Sequence, residues 1–167
     1  MALIEIKAIL WRRVLRATFD TLTGVSSGQY HIALTTAPEI DAFFVGLPRR
    51  DPTEHGGYTV DVPIASFDGS EPVDATTLVI RYMGPESERK DWYIRAQRPD
   101  TAYPLWRAGR GVPATFRDQR RDFVLLLRDV HDQFHARWVA DEHFDSLPEQ
   151  LRSRMLSRQI GVMQCQP

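Results

Sequence analysis

The sequence has one cysteine, Cys165, close to its C-terminal end. A single thiol forms no internal disulfide and no thiolate metal cage, so neither a disulfide scaffold nor a cysteine zinc site can organise the fold, and a reducing compartment suits it. Long apolar runs are missing too. Glu5, Lys7, Arg12 and Arg13 interrupt the N-terminal windows in which a signal peptide or a membrane span would lie. The expectation is a cytoplasmic protein with no membrane partner. Charge of one sign is also scarce: 21 Lys and Arg stand against 22 Asp and Glu, a net of -1. That balance argues against a partner held by bulk charge alone. Internal repeats, low-complexity segments and linkers are absent, and with 43% hydrophobic and 26% charged residues the whole of 1–167 reads as one globular domain.

What is present is a series of short β-like runs. Tyr58–Val62, Thr76–Tyr82 and Lys90–Ala96 are rich in β-branched and aromatic residues, as is Gln29–Thr35. Asp122–Leu127 and Gln133–Val139 flank a polar turn and predict a hairpin. Leu3, Ile6, Leu10 and Val14 recur at helical spacing and predict a first helix ending before Thr18, although Ile4, Ile6, Ala8 and Leu10 also alternate as in a strand. Thr36 followed by Pro38 and Glu39 predicts an N-capped short helix ending near Gly46, and Ser146-Leu-Pro-Glu149 opens a last helix to about Ser157. Many short strands with three helices fit an α+β, mainly β domain built around a curled sheet or open barrel.

Four kinds of chemistry compete for these residues. Glu88-Arg-Lys90 with Asp74 upstream matches the acid-x-lysine element of metal-dependent nucleases, in which carboxylates hold Mg²⁺ and the lysine helps activate water. Glu88, however, sits in a turn-like stretch, where a solvated charged loop gives the same pattern. His131, His135 and His143 could ligate a metal if helical, but the first two straddle the predicted hairpin turn and read as ordinary surface or structural histidines. For nucleophilic catalysis, Cys165 is terminal and has no fixed base beside it, and Ser26 and Ser27 lack a Gly-x-Ser-x-Gly elbow. Gly109-Arg-Gly111 is too short for a phosphate-binding loop.

The fourth kind, nucleic-acid recognition, gathers more residues. Bases outnumber acids between Glu86 and Arg121, and Arg12, Arg13 and Arg16 form a second basic cluster. In Lys90–Arg98 alternation puts Trp92, Ile94, Ala96 and Arg98 on one face, with Asp91, Tyr93, Arg95 and Gln97 on the other. Arginine suits guanine and glutamine suits adenine in the major groove, which a β-element can enter. The small polar loop from Thr21 to Gln29 could follow phosphates through its hydroxyls and backbone N–H groups. An exposed basic strand beside a flexible loop is the plainer alternative.

The order helix, Thr21-Leu-Thr-Gly-Val-Ser-Ser-Gly-Gln-Tyr30, strand, then Trp92-Tyr-Ile-Arg-Ala-Gln-Arg98 resembles the B3-like DNA-recognition domains of restriction endonucleases, in particular the N-terminal effector domain of the EcoRII type. Phe123-Val-Leu-Leu-Leu and Phe134-His-Ala-Arg-Trp-Val resemble that family's closing strands, so the likeness covers roughly residues 12–140. It implies an open pseudobarrel of about seven strands with flanking helices, and two arms that clasp duplex DNA from the major-groove side. Thr23 to His31 matches the N-arm position and Glu88 to Arg98 the C-arm. The resemblance thus implies a non-catalytic, allosteric effector domain of a type II restriction endonuclease. It would need no cofactor itself, Mg²⁺ being required only by a nuclease domain in cis beyond Pro167.

Gln29, Tyr30, Arg95, Gln97 and Arg98 are the base-edge candidates on this reading, for a short palindrome such as CCWGG. Ser26, Ser27, Arg89, Lys90 and Arg12 are the phosphate candidates, and Thr23, His31, Asp91, Trp92 and Tyr93 complete the arms. Glu88 and Asp91 add acids to the C-arm, and Gln29-Tyr30 stands where EcoRII-type relatives would show a histidine-containing arm. The rivals are a metal-dependent nuclease using Asp74, Glu88 and Lys90, and a protein–protein adaptor with an exposed sheet edge.

Overall fold

A computed structural model describes residues 3–23, 31–68, 77–95, 106 and 112–165. The chain opens with strand β1 (Ile6–Arg13), where helical spacing predicted a helix. The residues responsible are apolar on both sides. Ala8 and Leu10 turn into the main core, while Ile9 and Trp11 turn into a second core on the opposite face. A strand buried on both faces carries a continuous apolar run, and such a run also satisfies a helical template. The helix comes later, as α1 (Arg16–Thr23), with Phe19 and Leu22 buried.

Strand β2 (His31–Ala33) leads to α2 (Pro38–Phe43). Ala37, not Thr36, is the N-cap of α2, and no side chain bonds there; Pro38 instead opens the helix at the first turn, where a missing N–H costs nothing. Gly46 ends that region at φ +86°. Next come β3 (Arg49–Arg50), β4 (Tyr58–Phe67), β5 (Thr77–Tyr82) and β6 (Trp92–Arg95). The predicted hairpin is β7 (Phe123–Asp129) and β8 (Phe134–Val139), paired antiparallel. Helices α3 (Asp141–Phe144) and α4 (Glu149–Ser157) follow, and then β9 (Ile160–Gln164), which the sequence did not suggest.

The strands form one curled, open half-barrel in the order β2-β6-β5-β4-β8-β7-β1-β9, with β3 on β4. Nine strands are thus described where about seven were expected; β3 and β9 are the additions that sequence reading passed over. Curling originates in β4. Its first part, Tyr58–Pro63, pairs with β5, and its second part, Ile64–Phe67, pairs in parallel with β8 across an irregularity between Ile64 and Ser66. A bulge and a proline lacking an N–H bend the strand at that changeover. Helix α2 packs against β1 and β9 and sends Ile40, Phe43 and Phe44 into the main core, so it plugs the open side.

Helices α3 and α4 cover the other face of β1 and β7, where Phe144, Leu147, Leu151 and Met155 meet Trp11 and Phe123. The two layers are tied by Asp122, which is fully buried. Its carboxylate accepts from Trp138 Nε1, the Asp141 backbone N–H and Arg120 Nε, each at 2.9 Å. A buried carboxylate is tolerable only when surrounded by donors in this way.

Gly161 lies opposite Trp11 in the β1–β9 register, and a Cβ there would come within 2.3 Å of the indole ring. Gly161→Ala should therefore destabilise the fold by about 1–3 kcal/mol, the usual cost of overpacking a rigid core. Urea unfolding monitored by circular dichroism measures it, and an unchanged midpoint would refute the packing described.

Candidate nucleic-acid interface

Strand β6 is short, and its alternation holds as expected over the described residues. Trp92 and Ile94 are buried, and Tyr93 and Arg95 are half-buried on the outer face. The edge strand β2 runs antiparallel to it with His31 opposite Arg95 and Ala33 opposite Tyr93. The rings of His31 and Tyr93 pack 4.9 Å apart, a diagonal cross-strand pair. On the next strand Arg81 lies opposite Tyr93 and donates to Thr59 Oγ1 at 3.2 Å. The outer face of this half-sheet therefore presents His31, Tyr93, Arg81 and Arg95 side by side, with no carboxylate in ion-pair range of either arginine among the described residues. Sequence reading missed Arg81. The alternation of Thr77–Tyr82, with Leu78 and Ile80 fully buried, was the available signal.

The strand ends matter as much as the face. β2 begins at His31, directly after residues 24–30, and β6 ends at Arg95, directly before residues 96–105. Since His31 pairs with Arg95, the chain enters one strand and leaves the other at the same place. β5 also begins at this end, at Thr77. Ser26, Ser27, Gln29 and Tyr30 of the expected N-arm, and Gln97 and Arg98 of the C-arm, lie outside the described residues, as does Asp74.

Other expected contacts are placed elsewhere. Trp92 is 3% exposed and stacks on Tyr82, with centroids 4.7 Å apart, so it is a core residue and presents no ring to a ligand on the outer face. Arg89 and Lys90 precede β6 and belong to its other end, about 15–20 Å of extended chain from Arg95. Arg89 is spent partly on Asp91, 3.6 Å away. The stretch Glu88 to Arg95 is thus not one patch. Thr23 ends α1 and donates its hydroxyl to Phe19 O at 2.6 Å. Arg12 lies five strands from β6 along the sheet. It is half-buried on β1, and burial lowers its pKa, which makes it a desolvated cation rather than a solvated one.

The basic run before β7 is largely neutralised. Arg120 bridges Asp122 and Glu142, Arg121 bridges Asp141 and Asp145, and Arg16 meets Asp118.

Glu88 and Lys90 are exposed around a turn at the β6 entry, whereas Thr77, the first described residue after Asp74, lies at the far end of β5. Among the described residues no group of three or more His, Cys, Asp or Glu side chains is spaced to hold a metal. His131 is exposed in the β7–β8 turn and His135 is buried, so the two do not form a pair of ligands. Cys165 is held rather than loose: its N–H donates to Lys7 O at 2.8 Å, and burial raises its thiol pKa, the opposite of a reactive thiolate.

Sequence reasoning also missed a buried Ser66–His135–Asp129 chain. A carboxylate can only accept, so His135 Nε2 carries a proton and donates to Asp129 Oδ2 at 2.9 Å, and Nδ1 shares a hydrogen bond with Ser66 Oγ at 2.7 Å. All three are buried. Asp129 also accepts the N–H groups of His131 at 2.8 Å and Gln133 at 2.9 Å, which shapes the β7–β8 turn. The chain joins β4, β7 and β8 as a polar lock at their parallel seam.

No family model matches this chain, and neither does any curated protein or solved structure.

Burial raises the Asp129 pKa, but the bonds from His135, Gln133 and His131 outweigh it and hold the carboxyl below its ordinary 3.8. A lowered folded-state pKa stabilises the fold above the ordinary value and ceases to do so as pH falls through the lowered one. Asp129→Asn should therefore cost about 1–3 kcal/mol at pH 7, and the gap between variant and parent should narrow on acidification below about pH 4. Unfolding curves at pH 7 and pH 3 read both quantities; a constant gap would exclude this role.

Proposed function

We propose that this protein is a sequence-specific duplex DNA-binding module, a B3-like effector domain that clasps a short site between two arms and cuts nothing itself. The observation that carries the reading is the register of β2 on β6. With His31 opposite Arg95, the start of β2 and the end of β6, from which residues 24–30 of the expected N-arm and 96–98 of the expected C-arm continue, lie side by side. Beside them is an outer face of Arg81, Arg95, Tyr93 and His31, a cation-and-aromatic set suited to phosphates and base edges. A mainly β, half-open barrel is the architecture such a clasp would be mounted on.

On this reading Arg95 is the leading base reader, with Gln29, Tyr30, Gln97 and Arg98 beside it, and Ser26, Ser27 and Arg81 meet phosphates. Lys90, Arg89 and Arg12 contribute only to the general field, because of where they lie on the sheet. The target would be a short palindrome of the CCWGG kind, and any cleavage would belong to a Mg²⁺-dependent nuclease domain in cis.

Selection from random duplexes should enrich one short motif, bound roughly 10³-fold or more above unrelated DNA at physiological salt. Failure to enrich any motif would refute the reading. Arg95→Ala should lose about 1–3 kcal/mol on the selected site and relax preference at one position. Lys90→Ala should change specific binding little. Equal, sequence-independent losses in both variants would reduce β6 to a basic surface. Plasmid incubated with Mg²⁺ should stay intact; cleavage abolished by Glu88→Ala would favour the nuclease alternative instead.

A further inference from the structure

At the other end of β6 lies a cleft of about 440 Å³ between the start of α2 and the strand ends that carry Tyr58, Tyr82 and Trp92. Tyr82 stacks on Trp92, and Tyr58 meets both rings edge-on, at 5.4 and 5.5 Å. Arg49 lies over Tyr58 with its guanidinium carbon 4.0 Å from the ring centroid. The same guanidinium reaches Asp41 Oδ1 at 3.3 Å, and Tyr58 Oη donates to that oxygen at 2.7 Å. The result is an aromatic wall with a carboxylate fixed at its rim, the arrangement that recognises an organic cation.

Two further features support this. The cleft is preformed: its walls include two turns clasped so tightly that a Cβ on Gly84, at φ +101°, would come within 2.2 Å of His55 O, and Glu86 N–H donates to that same oxygen. The field is also of the right sign. Asp41 and Arg49 are the charged residues lining the cleft, so once the Arg49 guanidinium is displaced a carboxylate is left facing the aromatic rings.

Arg49 itself belongs to the two-residue strand β3, and its side chain is 55% exposed. Its hold on the wall is therefore of the weak, solvent-screened kind, worth roughly fivefold or less in displacement.

The geometry points to a cation-binding cleft in which Arg49 is a placeholder: a guanidinium or alkylammonium group from outside displaces it and takes its seat over Tyr58, against Asp41. The site takes the charged head alone, so a free quaternary amine and an arginine side chain compete for it.

The probes are choline, its uncharged isostere 3,3-dimethylbutan-1-ol, and N-acetylarginine amide, titrated into the full chain while the Trp92 indole resonance is followed by NMR. Choline or the arginine amide should shift that resonance saturably, whichever binds better naming the source, and the isostere should bind several-fold more weakly. Arg49→Ala should bind the cations about two- to fivefold more tightly by removing the competitor. Asp41→Asn should weaken them without altering isostere binding. Both side chains are 55% exposed, and circular dichroism melting of each variant checks that the fold is kept. Isostere binding equal to choline, a weaker Arg49→Ala variant, or no saturable shift at 100-fold excess over about 1 mM protein would each overturn the assignment.

Discussion

The architecture depends on β4 having two sets of neighbours. Tyr58–Pro63 pair with β5, and Ile64–Phe67 pair with β8, so one ten-residue strand joins two half-sheets that meet nowhere else in the strand order. Its pairing with β8 is the one parallel ladder among the described strands. Parallel neighbours need a long crossover, and residues 68–133 supply it. The Ser66–His135–Asp129 chain sits on this seam, where a slip of one residue would turn each inward side chain outward. The seam joins the β2-β6-β5-β4 half-sheet, and with it the His31–Arg95 edge, to the β7–β8 hairpin.

Charge is divided according to burial rather than sequence position. Arg120 and Arg121 belong to a dense basic stretch, yet both are bound up in carboxylates around Asp122 and α3. Arg81 looks unremarkable in the sequence, but it shares an outer face with Arg95 and two aromatic rings. Exposed ion pairs contribute little to stability, so the Asp122 cluster matters for its desolvated carboxylate and the donors around it, not for the number of its pairs.

Legibility followed the same physics. Half-buried strands such as β5 and β6 were readable because alternation survives when one face is wet. β1 was misread because its second face is covered by α4, which no local pattern reveals. Trp92 passed for a surface reader because a strand face has no sign until its neighbours are known; Tyr82, Tyr58 and Phe44 supply that sign. The polar lock was invisible because it needs Ser66 beside His135, a pairing across 69 residues that arises only from the parallel seam. Arg95 was found by residue type, and its partnership with His31 came only with the register.

β9 returns antiparallel along β1, so the first and the last of the described strands lie side by side, with Cys165 N–H on Lys7 O at 2.8 Å. Both leave their half-sheet at the end away from Arg13 and α1. The topology is therefore close to circular. A short peptide between the two ends would complete the ring, and the chain could be reopened at the β7–β8 turn without breaking a strand pairing. By the same geometry, any module joined to either end departs from one shared corner.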